Sequence, residues 1–86
     1  MIKYEGGVFT ATTSSNGNCS NGFGRKVIVF AAFSNLSDIV VIPYPSTSGM
    51  NSEGADTWWF HCMSSSSTHP VVASRSVTIY VLYRFM

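Results

Sequence analysis

The sequence has few charged residues. They make up 10% of the 86 residues, against about 25% in ordinary soluble domains. The five basic residues are scattered and the net charge is +1, so there is no basic patch of the kind that binds nucleic acid. Low charge combined with a hydrophobic content of 45% indicates a protein that buries much of its surface in an assembly.

Long apolar runs are also missing. No stretch reaches the roughly 18 apolar residues that a membrane-spanning helix needs, so no membrane span is expected. Residues 1–7 lack the apolar core of a signal peptide. We therefore expect a protein that is made in the cytoplasm without a signal peptide.

Residues for catalysis or metal binding are scarce. The two cysteines, Cys19 in a polar stretch and Cys62 in a predicted strand, form no CxxC pair, so zinc has no support and free thiols are expected. His61 beside Cys62 cannot act as its base, because adjacent strand residues point to opposite faces. The sequence predicts a non-enzymatic protein with no catalytic residues, no metal site and no cofactor.

Strand-forming segments, in contrast, are plentiful. Apolar residues alternate with a period of two, and Ser, Gly and Asn separate the segments, while no helical periodicity extends over ten positions. Strands are predicted at residues 8–13, 26–33, 38–44, 57–63 and 76–86, with a long loop at 14–24. The whole chain, residues 1–86, is therefore predicted to be a single all-β domain, a small antiparallel β-sandwich.

The last segment, residues 76–86, is the longest one free of Gly, Pro, Asn and Asp. It is apolar on both sides, which is typical of a strand enclosed between two layers or packed against another subunit, and it is predicted to be a central strand on which the others assemble. The segments at 26–33 and 38–44 also have two apolar faces. A sandwich of two sheets buries only the inner faces, so the outer ones predict assembly into an oligomer.

The most conspicuous side chains are the consecutive aromatics Trp58, Trp59 and Phe60, followed by His61. Alternation places only one tryptophan outward, and we predict Trp59 together with His61. An exposed aromatic ring with polar neighbours can stack on the apolar face of a sugar. The alternative is that both tryptophans lie in the core or in a subunit interface.

The predicted ligand-binding residues are Trp59, His61, Tyr44 and Trp58. Because a rigid sandwich leaves specificity to its loops, we expect the ligand to contact loops at one end of the domain. The longest candidates are residues 46–56 and 64–70, which both flank the tryptophan segment.

Several short patterns together resemble the small C-terminal tip domains of bacteriophage tail fibres. They are Gly22-Phe23-Gly24, Phe33-Ser34-Asn35, Ile42-Pro43, the segment 57–63, and the closing run from Ile79 to Phe85. The resemblance covers about residues 22–86.

The resemblance implies a homotrimeric β-sandwich of the virion that binds a host cell-surface glycan or protein. The chain would then be a tail-fibre tip, or a similar recognition module, whose partners are its own copies and the receptor. The alternative is a purely structural virion or assembly protein with no external ligand.

Overall fold

The computed structural model describes residues 3–85, which form five antiparallel strands in one sheet. The strands are β1 (Glu5–Thr12), β2 (Asn18–Ser34), β3 (Ile39–Pro45), β4 (Ala55–Ser64) and β5 (Ser76–Phe85). The predicted all-β fold is confirmed. Met86, the last residue of the predicted final strand, lies outside the described residues.

The strand order in the sheet is β1-β5-β2-β4-β3, and the long strand β2 joins two halves. Its first part, from Asn18 to Gly22, pairs with β4, whereas its second part, from Val27 to Ser34, pairs with β5. The register shifts between these parts, and Gly24 there has a φ of 78°, a conformation that glycine adopts without strain. One half of the sheet is therefore β1-β5-β2 and the other is β2-β4-β3.

The sheet folds over so that the inner faces of the two halves pack together. Phe9 of β1 and Phe60 of β4 are 5.0 Å apart between ring centroids, although three strand pairings separate their strands in the sheet. All five strands contribute to the core around the fully buried Phe60 and Ile79. The sandwich is thus made from a single bent sheet.

The predicted extent of one loop was wrong. The predicted loop at 14–24 is a loop only up to Gly17, after which β2 begins. Of its two Asn-Gly steps, only Asn16-Gly17 makes a turn, in which Gly17 has a φ of 80°; Gly22 lies within β2 and is paired with Thr57.

The final segment, β5, is a central strand of the sheet, as predicted. β5 has a partner on each side, β1 and β2, but β2 occupies the middle position and is the strand that both halves share. The inner face of β5 agrees with the alternation in the sequence, since Val77, Ile79 and Val81 are all buried.

The two edges of the sheet differ in how well they are blocked. β3 carries Pro43 and Pro45, and proline has no N–H to donate to another strand. β1 contains no proline and one charge, Glu5. The prolines therefore sit where a sheet tolerates them, and they close one edge to further strands.

Both cysteines are buried free thiols, as the composition predicts. Cys19 is not in a polar loop, however, but on the inner face of β2. A hydrogen bond between the two thiols raises the pKa of Cys62, and burial and the charge of an ionised Cys19 raise it further. The same hydrogen bond lowers the pKa of Cys19, whereas burial acts in the opposite direction.

Candidate functional site

The consecutive tryptophans face opposite sides of β4. Trp58 is 7% exposed, and its indole N–H lies 3.1 Å from the carbonyl oxygen of Val27 and 3.2 Å from that of Ala55. Trp59 is 38% exposed. The predicted orientation is confirmed, and Trp58, which was also named as a ligand-binding candidate, is instead a core residue whose polar atom is satisfied inside the fold.

Trp59 is the middle residue of a row that crosses the strands on the outer face of the β2-β4-β3 half. It is paired with Tyr44 on β3 and with Ser20 on β2. Side chains of directly paired residues lie on the same face, about 4.5–5.5 Å apart at Cβ. The row therefore presents two neighbouring aromatic rings followed by a hydroxyl.

A second row runs parallel to the first, two residues further along β4. His61 is paired with Ile42 on one side and with Asn18 on the other. The Nδ1 atom of His61 is 2.8 Å from Oδ1 of Asn18. Since an amide oxygen only accepts, Nδ1–H of His61 is the donor in this contact, and the Asn18 amide N–H groups remain available as donors.

We call these two rows the aromatic–amide face. Its members are Tyr44, Trp59, Ser20, Ile42, His61 and Asn18. It combines flat apolar rings with fixed donors and acceptors at neighbouring positions. This is the combination that binds a sugar ring, whose C–H face stacks on an aromatic side chain while its hydroxyls exchange hydrogen bonds.

The predicted loops do not converge on this face. The segment 46–54 precedes β4 and the segment 65–75 follows it, so they lie at opposite ends of that strand. Ser46 donates its backbone N–H to the carbonyl oxygen of Thr57 at 3.0 Å, which anchors the first loop at the end of the face where Tyr44 lies. A single site can therefore use loop 46–54 but not both loops, and the strands supply the main surface.

Asn18 and Ser20 were not identified from the sequence. Their segment is rich in Ser, Asn and Gly, so the sequence predicts a loop, in which side chains have no defined direction. The sequence carries no alternation signal for them, because the polar Asn21 interrupts the inward positions between Cys19 and Phe23.

The other half of the sheet has a different outer face, which we call the apolar face. Its exposed members are Tyr4, Val8, Phe30, Phe33, Tyr80 and Leu82. One row consists of Val8, Tyr80 and Phe33, and the next contains Gly6, Leu82 and Ala31.

A bulge in β2 increases the aromatic content of the apolar face. Val29 is paired with Tyr83 and Ala31 with Leu82, so Phe30 is an extra residue. In a regular strand, residues three apart point to opposite sides. The extra residue restores Phe33 to the same outer face as Phe30, and both are exposed.

Comparisons with known proteins gave no relative. No family model matches the chain, and neither a curated protein nor a solved structure matches it. Within residues 3–85 no group of three or more His, Cys, Asp or Glu side chains could hold a metal ion, and that range contains no helix long and apolar enough to span a membrane. Arguments about function therefore depend on the two outer faces.

Proposed function

We propose that this chain is a non-enzymatic recognition module that binds a host cell-surface glycan through the aromatic–amide face. The observation that carries the proposal is the exposed ring of Trp59 between Tyr44 and Ser20 on neighbouring strands. A tryptophan exposed on a flat sheet loses the burial that stabilises a core residue. A ligand that stacks on it would recover part of that free energy.

The polar row beside it would give the ligand its orientation. The hydrogen bond between His61 and Asn18 holds both side chains in one arrangement, so that binding need not order them. Ile42 extends the apolar part of the surface on the same row. Both rows are on strands, which hold a binding surface more rigidly than loops do.

In the wider setting, the chain would be a virion component such as a bacteriophage tail-fibre tip, assembled as a homo-oligomer with three copies favoured. This part of the proposal is supported by the resemblance in residues 22–86 and by the exposed apolar face. The all-β domain described above is compatible with it. The rival function, a structural virion protein without a ligand, would use the apolar face but would leave the aromatic–amide face unoccupied.

The two indole N–H groups provide a direct test. The ¹⁵N-labelled protein is titrated with the methyl glycosides of glucose, galactose, mannose and N-acetylglucosamine, and both indole signals are followed by NMR. Stacking on Trp59 is expected to shift its indole signal and the His61 ring signals with at least one glycoside. The indole of Trp58, which is bonded to Val27 and Ala55 inside the core, is the internal control and should not move.

Two results would contradict glycan recognition. One is the absence of any shift with all four glycosides, followed by the absence of any shift with purified lipopolysaccharide. The other is equal shifts of both indoles, which would indicate a general change in the protein rather than a ligand on its surface. Either result would favour the structural role.

A further inference from the structure

We infer that the apolar face is covered by the apolar face of another copy of this chain, and that a projecting aromatic side chain of one copy fills a depression beside Gly6 of its neighbour. The inference deepens the proposed function, since it depends on the self-association proposed there and assigns it to one surface. The aromatic–amide face would remain free for the ligand.

The first argument is the amount of apolar surface. Val8 is 61% exposed and Phe33 is 60% exposed, and four more large side chains on this face are each exposed by about half. Together the six offer on the order of 600 Å² of apolar surface, close to the ~800 Å² that each partner contributes to a standard interface. This is at the upper end of the roughly 300–600 Å² that the largest apolar patch of a typical monomer covers, and such patches often mark interaction sites.

The second argument is shape. A depression of about 350 Å³ opens on β1 and β5. The residues that line it are Gly6, Gly7, Val8, Tyr80 and Val81. It exists because Gly6 has no side chain in the row where Leu82 and Ala31 lie, and a Cβ placed on Gly6 would meet nothing within 4 Å.

The depression and the projecting side chains lie at opposite sides of the same face. Phe33 projects from β2, two strands away from Gly6 on β1. When a second copy packs face to face with its strands in reversed order, its β2 lies over β1 of the first copy. The phenyl ring of Phe33 then meets the depression, and the same contact recurs in the other direction, as in a two-fold dimer.

The third argument is charge. Arg84 is the one charged residue among the paired positions of this face that the structure describes, and its guanidinium carbon is 5.7 Å from the centroid of the Phe30 ring at the margin. A face that meets an identical face brings like charges together, which is unfavourable. A nearly uncharged face avoids that repulsion when its partner is itself.

The test measures the mass of the full chain by sedimentation across a range of concentrations. Two variants address the apolar face, Gly6→Val and Val8→Glu. Each has a matched control on the aromatic–amide side. The control for Gly6→Val is Gly22→Val, where a Cβ likewise meets nothing within 4 Å. The control for Val8→Glu is Ile42→Glu, because Ile42 is also an aliphatic residue on an edge strand and is 46% exposed. Circular dichroism establishes that each variant is folded.

We expect the unmodified chain to sediment as a dimer at micromolar concentration, because a reciprocal contact joins two copies; a trimer, which the resemblance implies, would overturn this packing. Gly6→Val and Val8→Glu are expected to weaken association by roughly tenfold or more, and the two controls should leave it unchanged. If Val8→Glu does not fold, Gly6→Val decides alone, since it adds a side chain into open space.

The outcomes separate this inference from the proposed function. A monomeric unmodified chain overturns the inference and the self-association, while a shift of the Trp59 indole with a glycoside would still support recognition. An oligomer that dissociates in Ile42→Glu but not in Gly6→Val overturns only the assignment of the face. A dissociated Gly6→Val variant whose Trp59 indole still responds to the glycoside supports both.

Discussion

The two outer faces of the bent sheet are built from the same kind of strand pairing but present different chemistry. On the β1-β5-β2 half, the central row consists of Val8, Tyr80 and Phe33. On the β2-β4-β3 half, the corresponding row consists of Tyr44, Trp59 and Ser20. The first is a continuous apolar surface, whereas the second places aromatic rings beside fixed polar groups.

The difference shows that exposed aromatic residues alone do not distinguish a subunit interface from a ligand site. Both faces expose a tyrosine next to other large apolar side chains. What separates them is one neighbouring row, which is Gly6, Leu82 and Ala31 on the apolar face and Ile42, His61 and Asn18 on the aromatic–amide face. On the other side of Tyr80, the hydroxyls of Thr10 and Thr78 are hydrogen-bonded to each other. Small and apolar neighbours favour close packing of another sheet, while hydrogen-bonding neighbours favour a polar ligand.

The largest expected effect on stability comes from placing a charge in the core and not on an outer face. Val81→Asp places a charge where the native residue is 5% exposed, and an unpaired buried charge costs several kcal/mol. We expect this variant to be unfolded by circular dichroism. Leu82→Asp, one residue along the same strand on the apolar face, should fold but sediment as a monomer. A folded Val81→Asp variant would contradict the assignment of inner and outer faces.

The next comparison uses the adjacent tryptophans. Trp58→Ala should lower the free energy of unfolding by about 3–5 kcal/mol, since it removes a buried ring. Trp59→Ala should cost less than about 1 kcal/mol in stability but about 1–3 kcal/mol in glycan affinity. Urea denaturation and glycoside titration measure the two quantities. Should Trp59→Ala unfold the domain instead, Trp59 is a structural residue and the site lies elsewhere.

A smaller effect compares one cross-strand hydrogen bond on each half. Asn18→Ala removes the partner of His61, and Thr10→Ala removes the 3.0 Å contact between the hydroxyls of Thr10 and Thr78. Each should lower the free energy of unfolding by about 0.5–1.5 kcal/mol. Only Asn18→Ala should weaken glycoside binding, measured by the NMR titration. Equal loss of binding in both variants would show that stability, and not the polar row, controls it.

The smallest expected effect concerns the buried thiols. Because Cys19 and Cys62 are free and buried, the intact mass under non-reducing conditions should include both thiol hydrogens. A reducing agent should not change the unfolding temperature. Alkylation should be slow in the native protein at neutral pH, since burial denies access to both sulfur atoms and the raised pKa of Cys62 keeps that thiol protonated. A mass deficit of two hydrogens would contradict this result.

Much of the fold could be predicted because strong alternation decides it locally. In the segment containing Trp58, Phe60 and Cys62, every second residue is buried, and the same holds for the run that includes Val77 and Ile79. The position of Trp59 on an outer surface follows from that alternation. The bend of β2 could not be predicted in this way, because pairing with two different strands depends on contacts far apart in the sequence.

The polar half of the candidate site was missed for a related reason. Residues such as Asn18 and Ser20 have low intrinsic preference for strands, and here the pairing with β4 determines their conformation. Gly54 shows the same dependence on tertiary structure. Its φ is 106°, and a Cβ there would collide with the carbonyl oxygen of Val27, a constraint that exists only once β2 has folded against that turn.

The strand shared by both halves also governs how the protein loses structure. Separating β4 from β2 exposes the inner side that covers Phe9, and separating β5 exposes the inner side that covers Phe60. Neither half retains a closed core on its own, so we expect the domain to unfold as one cooperative unit. The slowest amide hydrogens on β4 and β5 should therefore exchange with deuterium at a common rate, set by global unfolding.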